Sequence, residues 1–303
     1  MLYDLNIAWS PSTTKDQLLQ TLALASTLGY GTVALNHALN QPPQGNATAP
    51  FPDLSSTTTT STSSKKLPHI LHRATIPLSD PAASNYRLPA LARTYDIIAV
   101  RPLTPDAFQN ACITLDVPLI SLDLTQHFPF HFRPKPCMAA VARGVRFEIC
   151  YAQCLAADAR GRATFISNTA NLIRATRGRG IVISSEARGV LALRAPADVV
   201  NLLSVWGLGN EKGMESLGPV PRSVVVNEGI KRNGFRGVID IVKPAEPGPG
   251  DLQPSKQAEG SGQDSKKNKK QKRKNGDEEN QPGNKRQHKK MKVVTREPGP
   301  TKA

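Results

Sequence analysis

The chain has no run of about eighteen apolar residues, the length a helix needs to cross a bilayer, so no helical membrane span is expected. Met1–Trp9 carries Asp4 and Asn6 and lacks a basic segment followed by an apolar run, so no secretory signal is expected. Cysteines number only 4 (Cys112, Cys137, Cys150 and Cys154), and none forms a C-x-x-C pair. They read as small reduced thiols of a cytosolic or nuclear protein. Aromatic residues make up 5% of the chain. No G-x-S-x-G, H-x-H or H-E-x-x-H sequence occurs, which removes the usual signatures of a serine nucleophile and of a chelating histidine pair. Acidic residues are scarce beside basic ones, 24 Asp and Glu against 39 Lys and Arg, for a net charge of +15.

That excess is uneven. Residues 1–242 hold 23 basic and 16 acidic residues, whereas residues 243–303 hold 16 and 8, about the same surplus in a quarter of the length. A basic body with a denser basic tail points to a polyanionic partner, and otherwise serves solubility. The apolar residues needed for a core lie before about residue 242.

The amino-terminal 37 residues read as strand, helix, strand. Leu2–Ala8 alternates, Thr13 or Thr14 can cap a helix through Leu18, Leu19, Leu22 and Leu28, and Gly31–His37 is a second strand. A βαβ opening favours a parallel sheet. Residues 40–66, with the run Ser55–Ser64, lose all periodicity and read as a low-complexity, disordered insertion. Further strands are expected at His69–Leu78, Asp96–Val100, Leu119–Leu124, Arg146–Tyr151, Ile181–Ile183 and Val190–Leu193, with helices at Leu88–Tyr95, Pro105–Leu115, from Met138, Thr164–Ala175, from Pro196 and at Arg222–Arg232. Eight strands alternating with helices imply a (β/α) barrel over residues 1–242. Residues 243–303 read as a disordered basic tail. Two runs within it, Lys266, Lys267, Lys269, Lys270, Lys272, Arg273 and Lys274, then Lys285, Arg286, Lys289 and Lys290, have the composition of nuclear targeting or phosphate-contacting segments.

Strand ends of such a barrel would offer Asn6, His37, His72, Arg101, Asp123, Glu148 and Glu186. A metal-dependent phosphoesterase built on His37, His72, Asp123 and Glu148 would need these ligands to converge, and arginines and amides are interleaved among them. No metal site, cofactor or catalytic residue is therefore assigned. The cationic set Arg73, Arg101, Arg133, Lys135, Arg174, Arg177, Arg179, Arg188 and Arg194 falls at or near predicted element ends. Arginine predominates there, and its planar fork suits phosphate, although surface salt bridges would use the same residues. Phe128, Phe130 and Phe132 alternate beside Arg133, a pattern for packing a loop or for stacking bases.

Tyr3-Asp4-Leu5-Asn6-Ile7, Leu122-Asp123, Phe132-Arg133-Pro134-Lys135, Gly144 to Tyr151, and Ile181–Ser185 followed by Arg194-x-Pro196 occur in this order. Together they resemble the thirty-kilodalton protein subunit of ribonuclease P and ribonuclease MRP of archaea and eukaryotes, with residues 40–66 and the tail as additions of a fungal-type member. The resemblance implies a TIM-like α/β barrel related to the polymerase-and-histidinol-phosphatase phosphoesterases. It also implies an RNA-binding, non-catalytic role in a nuclear, nucleolar ribonucleoprotein that removes 5′ leaders from precursor tRNA and processes rRNA. The implied partners are the ribonuclease P and MRP RNAs, precursor tRNA and a small RRM-like subunit. In that phosphoesterase group a His-x-His would stand where this chain has Asp4-Leu5-Asn6. A protein-only scaffold whose tail alone meets RNA is the other class left open by the residues.

Overall fold

The structure, a computed structural model, describes residues 1–39, 50–52, 67–80, 88–235 and 239–240. Seven parallel strands form one sheet in sequential order: β1 (Leu2–Trp9), β2 (Tyr30–Ala38), β3 (His69–Leu78), β4 (Ile97–Pro102), β5 (Leu119–Ser121), β6 (Arg146–Cys150) and β7 (Ile181–Ser184). The sheet curls until β7 meets β1. There Ala8 N donates to Ala187 O at 3.0 Å and Glu186 N donates to Asn6 O, closing the seam with an isolated Ile7–Ala187 bridge. The result is a nearly closed barrel, as the alternation of strands and helices predicts.

Helices cover the outside. They are α1 (Lys15–Thr27), α2 (Leu88–Thr94), α3 (Pro105–Ile113), α4 (Pro134–Ala142), α5 (Tyr151–Ala156), α6 (Ala159–Thr176), α7 (Pro196–Val205), α8 (Asn210–Leu217) and α9 (Pro219–Asn233). Their starts follow local chemistry. Thr14 and Gln17 form a reciprocal capping box on α1. Thr104 caps α3 with Pro105 in its first turn, and Asp158 accepts from Gly161 N at 2.7 Å to cap α6. Outward strand residues such as Val33, Leu35, Ile98, Val100, Phe147 and Ile183 pack with helix residues such as Leu22, Phe108, Phe165 and Leu203 in one core cluster.

Two expectations are corrected. Val190–Leu193 is not an eighth strand: Val190–Ala192 is a single 3₁₀ turn, and Leu191 is 91% exposed. Its apolar run is too short and too open to pair. A helix begins at Ala159, five residues before the predicted start, because its first turn is polar and its Asp158 cap lies outside the apolar periodicity. Beyond α9, Gly234–Phe235 and Ile239–Asp240 form a two-residue antiparallel pair. Residues 40–49, 53–66 and 243–303, which include both basic runs of the tail, lie outside the described residues.

The inside of the barrel is layered. Tyr3, Leu5, Ala34, Leu71, Ile97, Ala99, Leu119 and Val182 fill its lower part and pack with Val224 of α9, which stoppers the end where the strands begin. Above this apolar layer the inward positions turn polar.

Candidate nucleic-acid interface

Arg73 sits in the middle of β3, two residues after the inward-facing Leu71, and is fully buried. Its guanidinium donates through Nη1 to Glu148 Oε1 at 2.5 Å and to the Leu5 carbonyl at 2.6 Å. Nη2 donates to Glu148 Oε2 at 2.6 Å, and Nε donates to Thr75 Oγ1 at 3.3 Å. The pair is a two-pronged arginine–carboxylate contact, the strongest geometry those groups offer. Asn6 Nδ2 donates to Glu148 Oε2 at 3.3 Å, Asn36 Nδ2 to Asn6 Oδ1 at 2.8 Å, and Thr75 Oγ1 to Asn36 Oδ1 at 2.8 Å. Side chains from β1, β2, β3 and β6 thus share one buried network.

Electrostatics follow from that geometry. Burial alone would raise the Glu148 carboxyl, but the charge and hydrogen bonds of Arg73 outweigh it and hold Glu148 well below the usual carboxylate range. Burial likewise opposes the Arg73 charge, and Glu148 more than compensates, so the guanidinium stays protonated. Asp4 behaves oppositely. It accepts from Ser185 N at 2.9 Å and Asn6 N at 3.2 Å through Oδ1, while Oδ2 has no hydrogen-bond partner among the described residues. Burial pushes its carboxyl up to about 6, against the lowering effect of the Ser185 and Asn6 hydrogen bonds.

Arg73 is therefore withdrawn from the predicted RNA-contacting set. It is not at a strand end and has no exposed surface, and its donors are engaged by Glu148, Leu5 and Thr75. Of the residues proposed for a metal, Glu148 is committed to Arg73, and His37 and His72 lie outside the barrel. There His37 Nδ1 meets the Tyr95 hydroxyl at 3.1 Å, and His72 stacks on Phe51 at 4.4 Å. Among the described residues no group of three His, Cys, Asp or Glu side chains is placed to hold a metal ion.

The remaining cations divide between the two ends of the barrel. Because all seven strands run the same way, every strand-to-helix connection opens at one end and every helix-to-strand connection at the other. Arg101, Arg133, Lys135, Arg188 and Arg194 belong to the first end, the C-terminal mouth; Arg174, Arg177 and Arg179 belong to the other. All are exposed except Arg101, which is half-buried. Arg101 Nη2 donates to Glu186 Oε1 at 3.0 Å, and Glu186 Oε2 accepts from Gln153 Nε2 at 2.6 Å. None of the other seven forms a salt bridge among the described residues, so their charges are available to an external anion.

The mouth opens on a cleft of about 920 Å³ that includes Arg101, Asp123, Gln153, Glu186, Arg188 and Arg194. Arg160 joins them; it was missed in the sequence because it lies in the polar first turn of α6. At the opposite end a second cleft of about 810 Å³ is lined by Arg174, Arg177 and Lys212, with Lys212 Nζ donating to the Arg177 carbonyl at 2.7 Å. Arg177 itself ends α6 in the left-handed conformation, φ +55°. Phe128, Phe130 and Phe132 pack on one another and on Phe108, whose ring stacks on Phe130 at 4.6 Å. They pack their loop, the first of the two roles their alternation allowed.

The fold and its interior define a class: a seven-stranded parallel barrel of the TIM-like type, with an internally paired arginine–glutamate centre and unpaired arginines at both ends. A family model described as RNase P subunit p30 matches residues 1–233. The chain belongs to that family. It is 34% identical over 232 residues to the ribonuclease P protein subunit p30 of Mus musculus, covering 75% of this chain and 86% of the relative. It is 31% identical over 246 residues to the "Probable ribonuclease P protein subunit 3" of Schizosaccharomyces pombe, covering 79% of this chain and 99% of the relative. Among solved structures, a chain from the cryo-EM structure of archaeal ribonuclease P with mature tRNA superposes with a TM-score of 0.60 at 14% identity, over 81% of this chain and all of that one. At that identity the likeness is one of fold.

Proposed function

We propose that this protein is an RNA-binding, non-catalytic subunit of nuclear ribonuclease P and ribonuclease MRP. In this reading it supports 5′-leader removal from precursor tRNA, and rRNA processing, while the RNA of the complex carries the chemistry. The observation that carries the reading is the family match over residues 1–233, which spans the whole barrel. The unpaired arginines at the barrel ends support an RNA contact, since a guanidinium fork matches phosphate oxygens and no described carboxylate occupies it. The commitment of Glu148 to Arg73 speaks against hydrolysis through that carboxylate. The partners under this reading are the P and MRP RNAs, precursor tRNA and a small RRM-like subunit. The two lysine-rich runs in 266–290 suit a nuclear, nucleolar address.

The test is to recover the tagged full-length protein from cell extract and sequence the RNA that accompanies it. Enrichment of one or two structured non-coding RNAs, with precursor-tRNA cleavage in the eluate, is expected. A clean protein that hydrolyses phosphate esters by itself, and stops when a chelator is added, would overturn the proposal.

A further inference from the structure

We infer that the cleft at the C-terminal mouth of the barrel is a pocket for one unpaired ribonucleotide of a single-stranded RNA segment. The inference rests on the RNA-binding reading and gives it a location and a ligand class. At about 920 Å³ the cleft has the volume of a small-ligand site, and unlike the cationic cleft at the opposite end it combines arginines with the carboxylates of Asp123 and Glu186 and the exposed side chain of Leu191.

Its charges sort by depth. Arg160, Arg188 and Arg194 stand exposed at the rim, whereas Arg101, Asp123, Gln153 and Glu186 are half-buried below them. The floor sets the two carboxylates of Asp123 and Glu186 against the one guanidinium of Arg101, so a phosphate belongs at the rim, within reach of the exposed guanidiniums. The same floor accepts hydrogen bonds, and the part of a ribonucleotide that offers N–H donors is the edge of its base. The carboxylate is aimed there by the backbone. Glu186 holds φ at +55°, a conformation that non-glycine residues rarely adopt and that concentrates at binding sites. Its side chain is pinned by Arg101 at 3.0 Å and Gln153 at 2.6 Å, and Gln153 Oε1 is itself fixed by Leu124 N at 3.0 Å. An apolar face completes the pocket. Leu155 and Leu191 line the same cleft and are 40% and 91% exposed, surfaces that a base plane would cover. A site for phosphate alone would need neither the acceptors nor the leucines.

The test uses the full-length protein and a fluorescent single-stranded oligoribonucleotide, with the same strand annealed into a duplex as comparison, followed by anisotropy. The basic 243–303 segment is common to all variants, so differences report the barrel. Arg160→Ala with Arg188→Ala should weaken single-strand binding by about tenfold or more, the loss expected from one or two charge-assisted contacts. The exposed Leu191→Ala should weaken it severalfold, and duplex affinity should hold. Equal losses for single strand and duplex would overturn the pocket in favour of a plain phosphate patch. Unchanged binding in these variants, with loss in Arg174→Ala/Arg177→Ala, would overturn the location and leave the RNA-binding reading standing. If the wild-type chain bound neither probe, the RNA-binding reading would fail and the pocket with it.

Discussion

Glu148 on β6 accepts two hydrogen bonds from Arg73 on β3, at 2.5 and 2.6 Å, across the fully buried centre of the barrel. Each side chain makes the burial of the other tolerable. Removing either leaves a buried charge with polar neighbours but no counter-charge.

Arg73→Met or Glu148→Leu alone should therefore destabilise the fold by about 3–5 kcal/mol, the usual consequence of orphaning a buried ion. The double replacement Arg73→Met/Glu148→Leu should lose much less than the sum of the singles, because no uncompensated charge remains. Urea unfolding of the four proteins measures the difference directly. Additive losses would mean that the two groups are not coupled.

Asp4 should give the protein a pH dependence of recognisable sign. Its carboxyl is raised from 3.8 to about 6 on folding, so the native state holds that proton more tightly than the unfolded chain. The stabilising effect is complete below about pH 4 and is lost as pH rises through about 6, about 3 kcal/mol in all. Asp4→Asn keeps an oxygen to accept from Ser185 and Asn6 and cannot titrate. Subtracting the two stability–pH curves should isolate a fall between those limits. Glu148, held low, acts in the opposite direction: it contributes above the ordinary carboxylate range and loses its contribution as pH falls through its own low value.

Phe108 anchors the aromatic loop. Its ring is 4% exposed and meets Phe130, Phe132 and Phe147 at 4.6, 5.7 and 6.3 Å. Phe108→Ala should destabilise the protein by about 3–5 kcal/mol. It should also bring protease cleavage within residues 127–133 at concentrations that spare the parent chain. Unaltered cleavage there would show that the phenylalanines hold their loop without the helix beneath.

The architecture was legible in the sequence wherever one periodicity ran uninterrupted. Leu18, Leu22 and Ala25 mark the buried stripe of α1, and Thr14 marks its start. The run IVIS at β7, short and β-branched after a glycine-rich turn, reads as a strand buried on both faces and is one. Legibility failed where local composition and tertiary role diverge. Val190–Ala192 is apolar but opens to solvent, and the start of α6 is polar but helical. The interior pair was invisible for a deeper reason. Arginine is assigned to surfaces by its charge, and only the register that sets Leu71, Arg73 and Thr75 on one inward row, opposite Glu148, shows that a guanidinium can be a core residue. For the mouth, Arg101 could be read from a strand end and Arg188 and Arg194 from the two ends of a run that is not a strand, whereas Gln153 and Arg160 come from the helices that follow β6. No spacing in the chain announces that.

The seam between β1 and β7 has a consequence for the order in which the molecule can be made. Asp4 and Ser185 meet across 181 residues of chain, and the bridge at Ile7 waits for Ala187. During synthesis, six strands can assemble as an open, curved sheet whose first strand presents an unpaired edge until the seventh emerges. An exposed parallel edge is a template for foreign strands. The polar character of Asp4 and Asn6 on that edge makes it a poor one, so the residues that later lock the barrel also guard the nascent chain while it is incomplete.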